Sequence, residues 1–329
     1  MRKGNISIFV PHIGCPHKCS FCNQNTITGQ NDVPTAKNVE TAVKTALKQD
    51  GFEYEIAFFG GSFTAIDRQY MISLLESAHC FVENESRVTG IRISTRPDYI
   101  DNEILELLEK YGVTSIELGA QSMNDNVLKM NMRGHTAEDV RKASRLIKDY
   151  GFELGLQMMT GLYGSDDEID LFTANEIIKL KPDTVRIYPT VVLENTYLGS
   201  LYKAGRYIPN DVQKSVEICA KIVPLFNKNN IKIIRLGLHA SDDVKNNMLA
   251  GGYHPSLGEL VTSKIMLNEI LLHKPGNYTV YINEKSVSKL IGNKKCNLTE
   301  LKEKGYTIDI EFDNKMNPNE LKTEEKLWF

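Results

Sequence analysis

The chain has 329 residues, 41% hydrophobic and 25% charged, the composition of an ordinary globular protein with ample material for a large core and about two domains. Its 39 Lys and Arg against 42 Asp and Glu leave a net charge of −3, which excludes a globally basic nucleic-acid binder and confines any RNA contact to a local patch. No apolar run approaches membrane-spanning length, and the short run after Met1-Arg2-Lys3 lacks the form of a signal peptide; the expectation is a cytoplasmic protein with no membrane partner and reduced thiols.

In chain order, the first strand is expected at Ile6–Val10. It leads into Gly14-Cys15-Pro16-His17-Lys18-Cys19-Ser20-Phe21-Cys22, where three cysteines follow the spacing C-x3-C-x2-C. Three thiolates on one tight loop suit three irons of a cubane cluster and leave the fourth iron without a ligand from the motif. Two other readings stay open on these residues: a zinc knuckle drawing on His12 or His17, and a disulfide framework. Cys80, Cys219 and Cys296 stand singly and read as buried free thiols.

Further strand-like runs occur at Tyr54–Phe59, Gly90–Thr95, Ser115–Gly119, Glu153–Met159 and Thr184–Tyr188, with segments of helical period near 37–49, 68–82, 101–111, 136–149, 167–179 and 211–229. Gly51, Gly112 and Gly151 stand where helix C-caps belong. The alternation predicts an α/β fold, a partial (β/α)6 barrel over residues 1–240, with its chemistry at the C-terminal strand ends. Those ends carry Gly60-Gly61-Ser62, Ser94-Thr95-Arg96-Pro97-Asp98, Gln121 with Arg133 twelve residues on, Gln157, and Tyr188. Each has a structural alternative: a Gly-Gly turn, an Arg96–Asp98 pair within the loop, a core aromatic at Tyr188. Ile231–Leu238 reads as a further strand ending at the lone His239. Residues 241–274 are expected to form a mostly helical extension, with 250–259 as a loop over the barrel mouth or a plain connector.

The cysteine spacing beyond a first strand resembles the signature of the radical S-adenosylmethionine (SAM) superfamily. The run from Ser94 to Asp98, with Tyr188-Pro189-Thr190 through Glu194-Asn195-Thr196, resembles its Elongator-catalytic-subunit branch. The resemblance implies a [4Fe–4S] cluster on Cys15, Cys19 and Cys22, completed by the amino and carboxylate groups of SAM. It also implies reductive cleavage of SAM to a 5′-deoxyadenosyl radical and an electron donor of flavodoxin or ferredoxin type. The implied SAM contacts are Phe21 at the adenine and the Gly60-Gly61 backbone at the methionyl amino group, with Ser62 replacing the family's acid. Ser94 and Arg96 would meet the carboxylate or ribose, and Gln157 stands where relatives carry another acid. The Gln121-to-Arg133 spacing is similar to that of oxygen-independent coproporphyrinogen oxidases, in which both residues contact SAM. Full-length members of the Elongator branch carry an acetyltransferase domain, and the chain after the barrel is too short for one, so acetyl transfer is not expected.

Pro275-Gly276-Asn277 opens a third segment, 275–329, with strand, helix, loop, helix and strand at Tyr278–Ile282, Lys285–Ile291, Gly292–Lys295, Leu298–Lys304 and Tyr306–Phe312. This βααβ order resembles the core of a KH module, whose GXXG loop clamps an RNA backbone. Lys295 replaces the second glycine, while six lysines against Glu300 and Glu303 over 285–304 make the region locally basic. Lys289, Gly292, Lys294 and Lys295 are the candidate RNA contacts. The last dozen residues read as poorly ordered, with the only tryptophan, Trp328, unassigned. Three functions remain: radical SAM modification of tRNA or another RNA, radical SAM chemistry on a small molecule or porphyrin, and a non-catalytic Fe–S or SAM-binding protein.

Overall fold

The computed structural model describes residues 2–10, 15, 18–23, 33–239 and 242–326. Strand β1 (Arg2–Val10) is followed by α1 (Ala36–Ala46), β2 (Phe52–Gly60), α2 (Arg68–Asn84), β3 (Val88–Thr95), α3 (Asn102–Lys110), β4 (Val113–Gln121), α4 (Asp125–Met130) and α5 (Ala137–Asp149). Next come β5 (Glu153–Thr160), α6 (Asp167–Lys179), β6 (Thr184–Pro189), β7 (Val191–Leu193), α7 (Tyr197–Lys203), α8 (Val212–Lys228) and β8 (Lys232–Leu236). Strands β1 to β6 and β8 pair in parallel as one seven-stranded sheet, in the order β1-β2-β3-β4-β5-β6-β8. The further strand after α8 thus extends the six expected units by one.

Local chemistry explains the alternation. Asp67, Asp101, Asp166 and Asp211 each accept a backbone N–H of the helix they precede, so α2, α3, α6 and α8 start sharply after their loops. On α2, Met71, Leu74, Leu75 and Ala78 form a buried stripe, each large side chain worth about 1.5–3 kcal/mol of transfer free energy. Along β3 the period of two sends Ile91 and Ile93 into the same core, while Arg92 and Ser94 take the opposite face, the barrel lumen.

The remaining elements are α9 (Asp242–Asn247), β9 (Met248–Gly251), α10 (Leu257–Leu271), β10 (Asn277–Ile282), α11 (Val287–Ile291), α12 (Cys296–Glu303), β11 (Thr307–Phe312) and β12 (Leu321–Glu325). The expected βααβ order is present. Strand β10 lies between a parallel β11 and an antiparallel β12. Helix α10 gives Leu257 and Val261 to the barrel core, and Met266, Leu267 and Ile270 to a second core with Val280, Ile282, Leu290 and Leu301.

Several expectations need correction. Residues 321–325 are ordered as β12, because β10 offers an open edge on which this stretch completes a ladder. Ala250 and Gly251 are not loop but the end of β9, which pairs with β7; Gly251, at φ +120°, lets the backbone approach the Thr190 carbonyl. Cys80 and Cys296 are exposed, and only Cys219 of the three single cysteines is buried; Cys80 falls off the apolar stripe of α2. Helix α1 ends at Ala46, so Gly51 lies in the turn beyond it, whereas Gly112 and Gly151 directly follow the caps of α3 and α5. No helix among the described residues is long and apolar enough to cross a membrane.

Candidate functional site

The cysteine loop leaves the C-terminal end of β1, and backbone contacts fix where it starts. Gly60 sits at φ +110°, and a Cβ there would stand 2.6 Å from the Val10 carbonyl oxygen. Only glycine lets β2 end so close to β1. The Gly61 N–H donates to the same carbonyl at 2.7 Å. The glycine pair therefore has a scaffold role beside the cofactor role that the resemblance implies.

The other side of the loop is held by Asn131, which is completely buried after α4. The Ser20 hydroxyl donates to Asn131 Oδ1 at 2.7 Å, and the Ser20 N–H to the Asn131 carbonyl at 3.1 Å. The Asn131 side-chain amide in turn donates to the carbonyls of Val127 and Tyr163, both at 2.8 Å. The Leu198 N–H on α7 donates to the Ser20 carbonyl at 2.7 Å. Phe21 packs between two apolar clusters containing Val127, Met159, Leu198 and Tyr207. Neither Asn131 nor α7 was singled out from sequence; the only signal was an Asn closing a short polar helix, which is common in any protein.

Cys15, Cys19 and Cys22 are each half-buried, and the Cys22 N–H donates to the Cys19 carbonyl at 3.2 Å. Arg133 reaches this loop: its Nη1 donates to Cys19 Sγ at 3.0 Å and its Nη2 to the Gly119 carbonyl at 2.6 Å, while its buried Nε has no partner. Beside it His135 is buried, with Nε2 3.2 Å from the Ala120 carbonyl. Burial and the charge of Arg133 push the imidazole down to about 4, so it is neutral at pH 7. A cleft of about 740 Å³ opens on the rim here, lined in part by Lys18, Lys129, Met132 and His135.

The other expected residues fall around the same end of the barrel. Gln121, at φ +64°, ends β4 with its Oε1 3.4 Å from Gln157 Nε2. Arg96 is buried and bidentate to Asp98, at 2.9 and 2.8 Å, the loop pairing weighed from sequence. Ser62 is buried ahead of a short helical turn, and Ser94 is half-buried in the lumen. Tyr188 lies beside Arg186, and His239 is exposed. His12, His17 and Trp328 lie outside the described residues.

From the row of Gln157 downward the lumen is filled with charge. Arg92 lies between Glu55 (3.0 Å), Glu117 (3.4 Å) and Glu153 (2.9 Å), and Arg186 is bidentate to Glu117 at 2.6 and 2.9 Å. The Arg186 guanidinium also covers the Phe59 ring at 5.2 Å. Sequence reasoning passed over this lattice, although charged residues alternating with apolar ones in mid-strand were its visible signal.

A parallel α/β half-barrel, with a thiolate loop after its first strand and polar groups at the adjoining strand ends, defines a class that binds cofactors at that face. The pattern of the radical SAM superfamily matches residues 9–173, half of the chain, and that of the radical SAM C-terminal domain matches residues 182–266. The chain belongs to the radical SAM superfamily, an enzyme superfamily. It is 31% identical over 291 residues to the tRNA uridine(34) acetyltransferase of Methanocaldococcus jannaschii, covering 75% of this chain and 52% of that protein. Human Elongator complex protein 3 is 32% identical over 201 residues, 54% of this chain and 37% of that protein. The solved structure of the archaeal Methanocaldococcus infernus Elp3 with an N-terminal deletion superposes with a TM-score of 0.66 at 23% identity, over 84% of this chain and 66% of that one, a likeness of fold. The chain spans about half the length of the first curated relative it matches.

Members of this superfamily bind a [4Fe–4S] cluster and SAM. The donor chemistry fits: three half-buried thiols on one pinned loop, an arginine N–H already bonded to a cysteine sulfur, and polar amides at the next strand ends. Among the described residues no three His, Cys, Asp or Glu side chains, these cysteines included, stand close enough to hold a single metal ion.

Proposed function

We propose that this radical SAM enzyme acts on RNA, which its C-terminal module holds against the barrel. The observation that carries the reading is the loop between α11 and α12. Gly292 has φ +78°, and Lys294 and Lys295 stand at φ 50° and 64°, so the position that lacks the second glycine of a GXXG loop keeps a left-handed backbone. Lys289 donates to Asn319 Oδ1 at 2.6 Å, tying α11 to the turn before β12. Curated relatives named tRNA uridine(34) acetyltransferases support an RNA substrate.

In this proposal Cys15, Cys19 and Cys22 hold the cluster, with Phe21, the Gly60-Gly61 backbone, Ser62, Ser94, Arg96, Gln121, Arg133 and Gln157 around SAM. The cluster and SAM would supply reductive sulfonium cleavage and hydrogen-atom abstraction, with electrons from a flavodoxin- or ferredoxin-type donor. Arg133 holds the thiolate loop against β4 through Cys19 and Gly119. Phe21 packs against the apolar cluster of Val127, Met159 and Leu162. Gln121 and Gln157 present amide donors and acceptors to ribose hydroxyls.

The test is binding of bulk tRNA to the full chain across a salt series, with Lys289, Lys294 and Lys295 each changed to Ala and all three changed together. Removing a lysine that touches a phosphate lowers the magnitude of the log–log salt slope by roughly 0.7–0.9. Equal slopes for the wild type and the triple variant would remove the module from the RNA site.

A further inference from the structure

Among the described residues, the carboxylates of the barrel lumen leave the guanidinium of Arg235 unserved. Glu55, Glu117 and Glu153 are all engaged by Arg92 and Arg186. Arg235, on β8, pairs with no carboxylate among the described residues; its Nε donates to the nearby Gly237 carbonyl at 2.8 Å. The ladder fixes its place. Gly119 is in register with Gln157, Gln157 with Arg186, and Arg186 with Arg235. One row across four strands therefore runs from the carbonyl that Arg133 grips to Arg235. Strands are about 4.8 Å apart, so Arg235 lies on the order of 10 Å from Gln157, at the same height and on the same face.

A second cation beside Arg186 is electrostatically unfavourable. Burial, and with it Arg186, holds the Arg235 guanidinium below its ordinary pKa. A half-buried arginine kept beside another cation, at the height of the candidate cofactor residues, is placed to receive an anion that arrives with the substrate. Guanidinium forks favour phosphate oxygens. A base that must react inside a barrel leaves its stack and brings its own phosphate with it.

We propose that Arg235, flanked by Arg186 and Tyr188, binds a phosphate of the nucleotide that enters the barrel. The proposal rests on the RNA reading above and names the group by which the reacting nucleotide is held.

The test uses the anaerobically reconstituted full chain with saturating SAM. Three ligands are titrated: uridine and cytidine 5′-monophosphates, the matching nucleosides, and bulk tRNA. Pyrimidines are chosen because they do not mimic the adenine of SAM. The wild type is expected to bind the monophosphates about tenfold more tightly than the nucleosides. Arg235→Gln should erase that difference and weaken tRNA binding, and Arg235→Lys should restore part of both. Iron content and thermal melts report that the variants are folded, and SAM affinity is read separately. Equal monophosphate affinity in wild type and Arg235→Gln overturns the proposal, as does a loss of SAM affinity, which would put Arg235 on the cofactor. Arg235-dependent monophosphate binding without any tRNA binding supports the phosphate site and identifies a free nucleotide as its source, in which case the RNA reading falls. Binding of tRNA that Arg235→Gln leaves untouched, with no monophosphate effect, removes the phosphate site and leaves the RNA reading standing.

Discussion

Asn131 has no exposed surface, yet its side chain joins three segments: it accepts from Ser20 in the cysteine loop and donates to Val127 and Tyr163. Asn131→Ala leaves these partners unpaired, at about 1–3 kcal/mol for each buried group that water cannot reach. The expected outcome is a lower unfolding midpoint and less iron bound per chain after reconstitution, read by thermal melts and iron assay. Asp170 presents a different balance. It is buried and accepts from the Gly161 N–H at 2.8 Å and the Ser165 hydroxyl at 2.6 Å, but burial dominates and raises its pKa to about 6 from 3.8. A raised carboxylate pKa means that the folded state favours the neutral acid; this contribution is complete below about pH 4 and is lost as pH rises through about 6. Two pH units correspond to about 3 kcal/mol. Urea unfolding from pH 4 to 7 should therefore show Asp170→Asn gaining on wild type as pH rises, by up to roughly that amount. A constant difference across the range would assign Asp170 an ordinary pKa.

At the scale of elements, the loop between α11 and α12 tests how backbone and charge are divided. Lys295 adopts φ 64°, a left-handed conformation that costs a non-glycine residue about 1–2 kcal/mol. Lys295→Gly relieves that strain against the greater entropy of glycine in the unfolded chain, so stability is expected to rise by up to about 1 kcal/mol while RNA affinity falls with the missing charge. Denaturant midpoints and tRNA titrations on the same samples separate the two effects. Much of this scale was legible in the sequence. Period-two and helical patterns located all seven strands of the main sheet, and both C-terminal helices, to within a few residues. What escaped were elements defined by partners distant in sequence. The ribbon of β7 and β9 and the edge strand β12 are short, and they exist because another edge needs covering. For the same reason the cysteine motif was readable while its supports were not: Arg133 meets Cys19, and Asn131 meets Ser20, across more than a hundred residues that no local pattern spans.

At the scale of the whole molecule, two cores share one helix. Because α10 contributes to both, the C-terminal module is anchored to the barrel by buried apolar surface and not by a free linker. The proposed RNA site on the module and the proposed site at the strand ends, with Gln121, Gln157, Arg235 and the cysteine loop, then belong to elements joined through one helix. The most direct measurement is 5′-deoxyadenosine formation by the anaerobically reconstituted full chain with SAM and a one-electron reductant, with and without bulk tRNA. RNA-stimulated 5′-deoxyadenosine, matched by a new modified nucleoside in the tRNA digest and absent from Cys19→Ala, is the result expected. A cluster-loaded, SAM-bound wild type that forms the same amount with and without RNA, and leaves every nucleoside unchanged, would contradict an RNA-modifying enzyme.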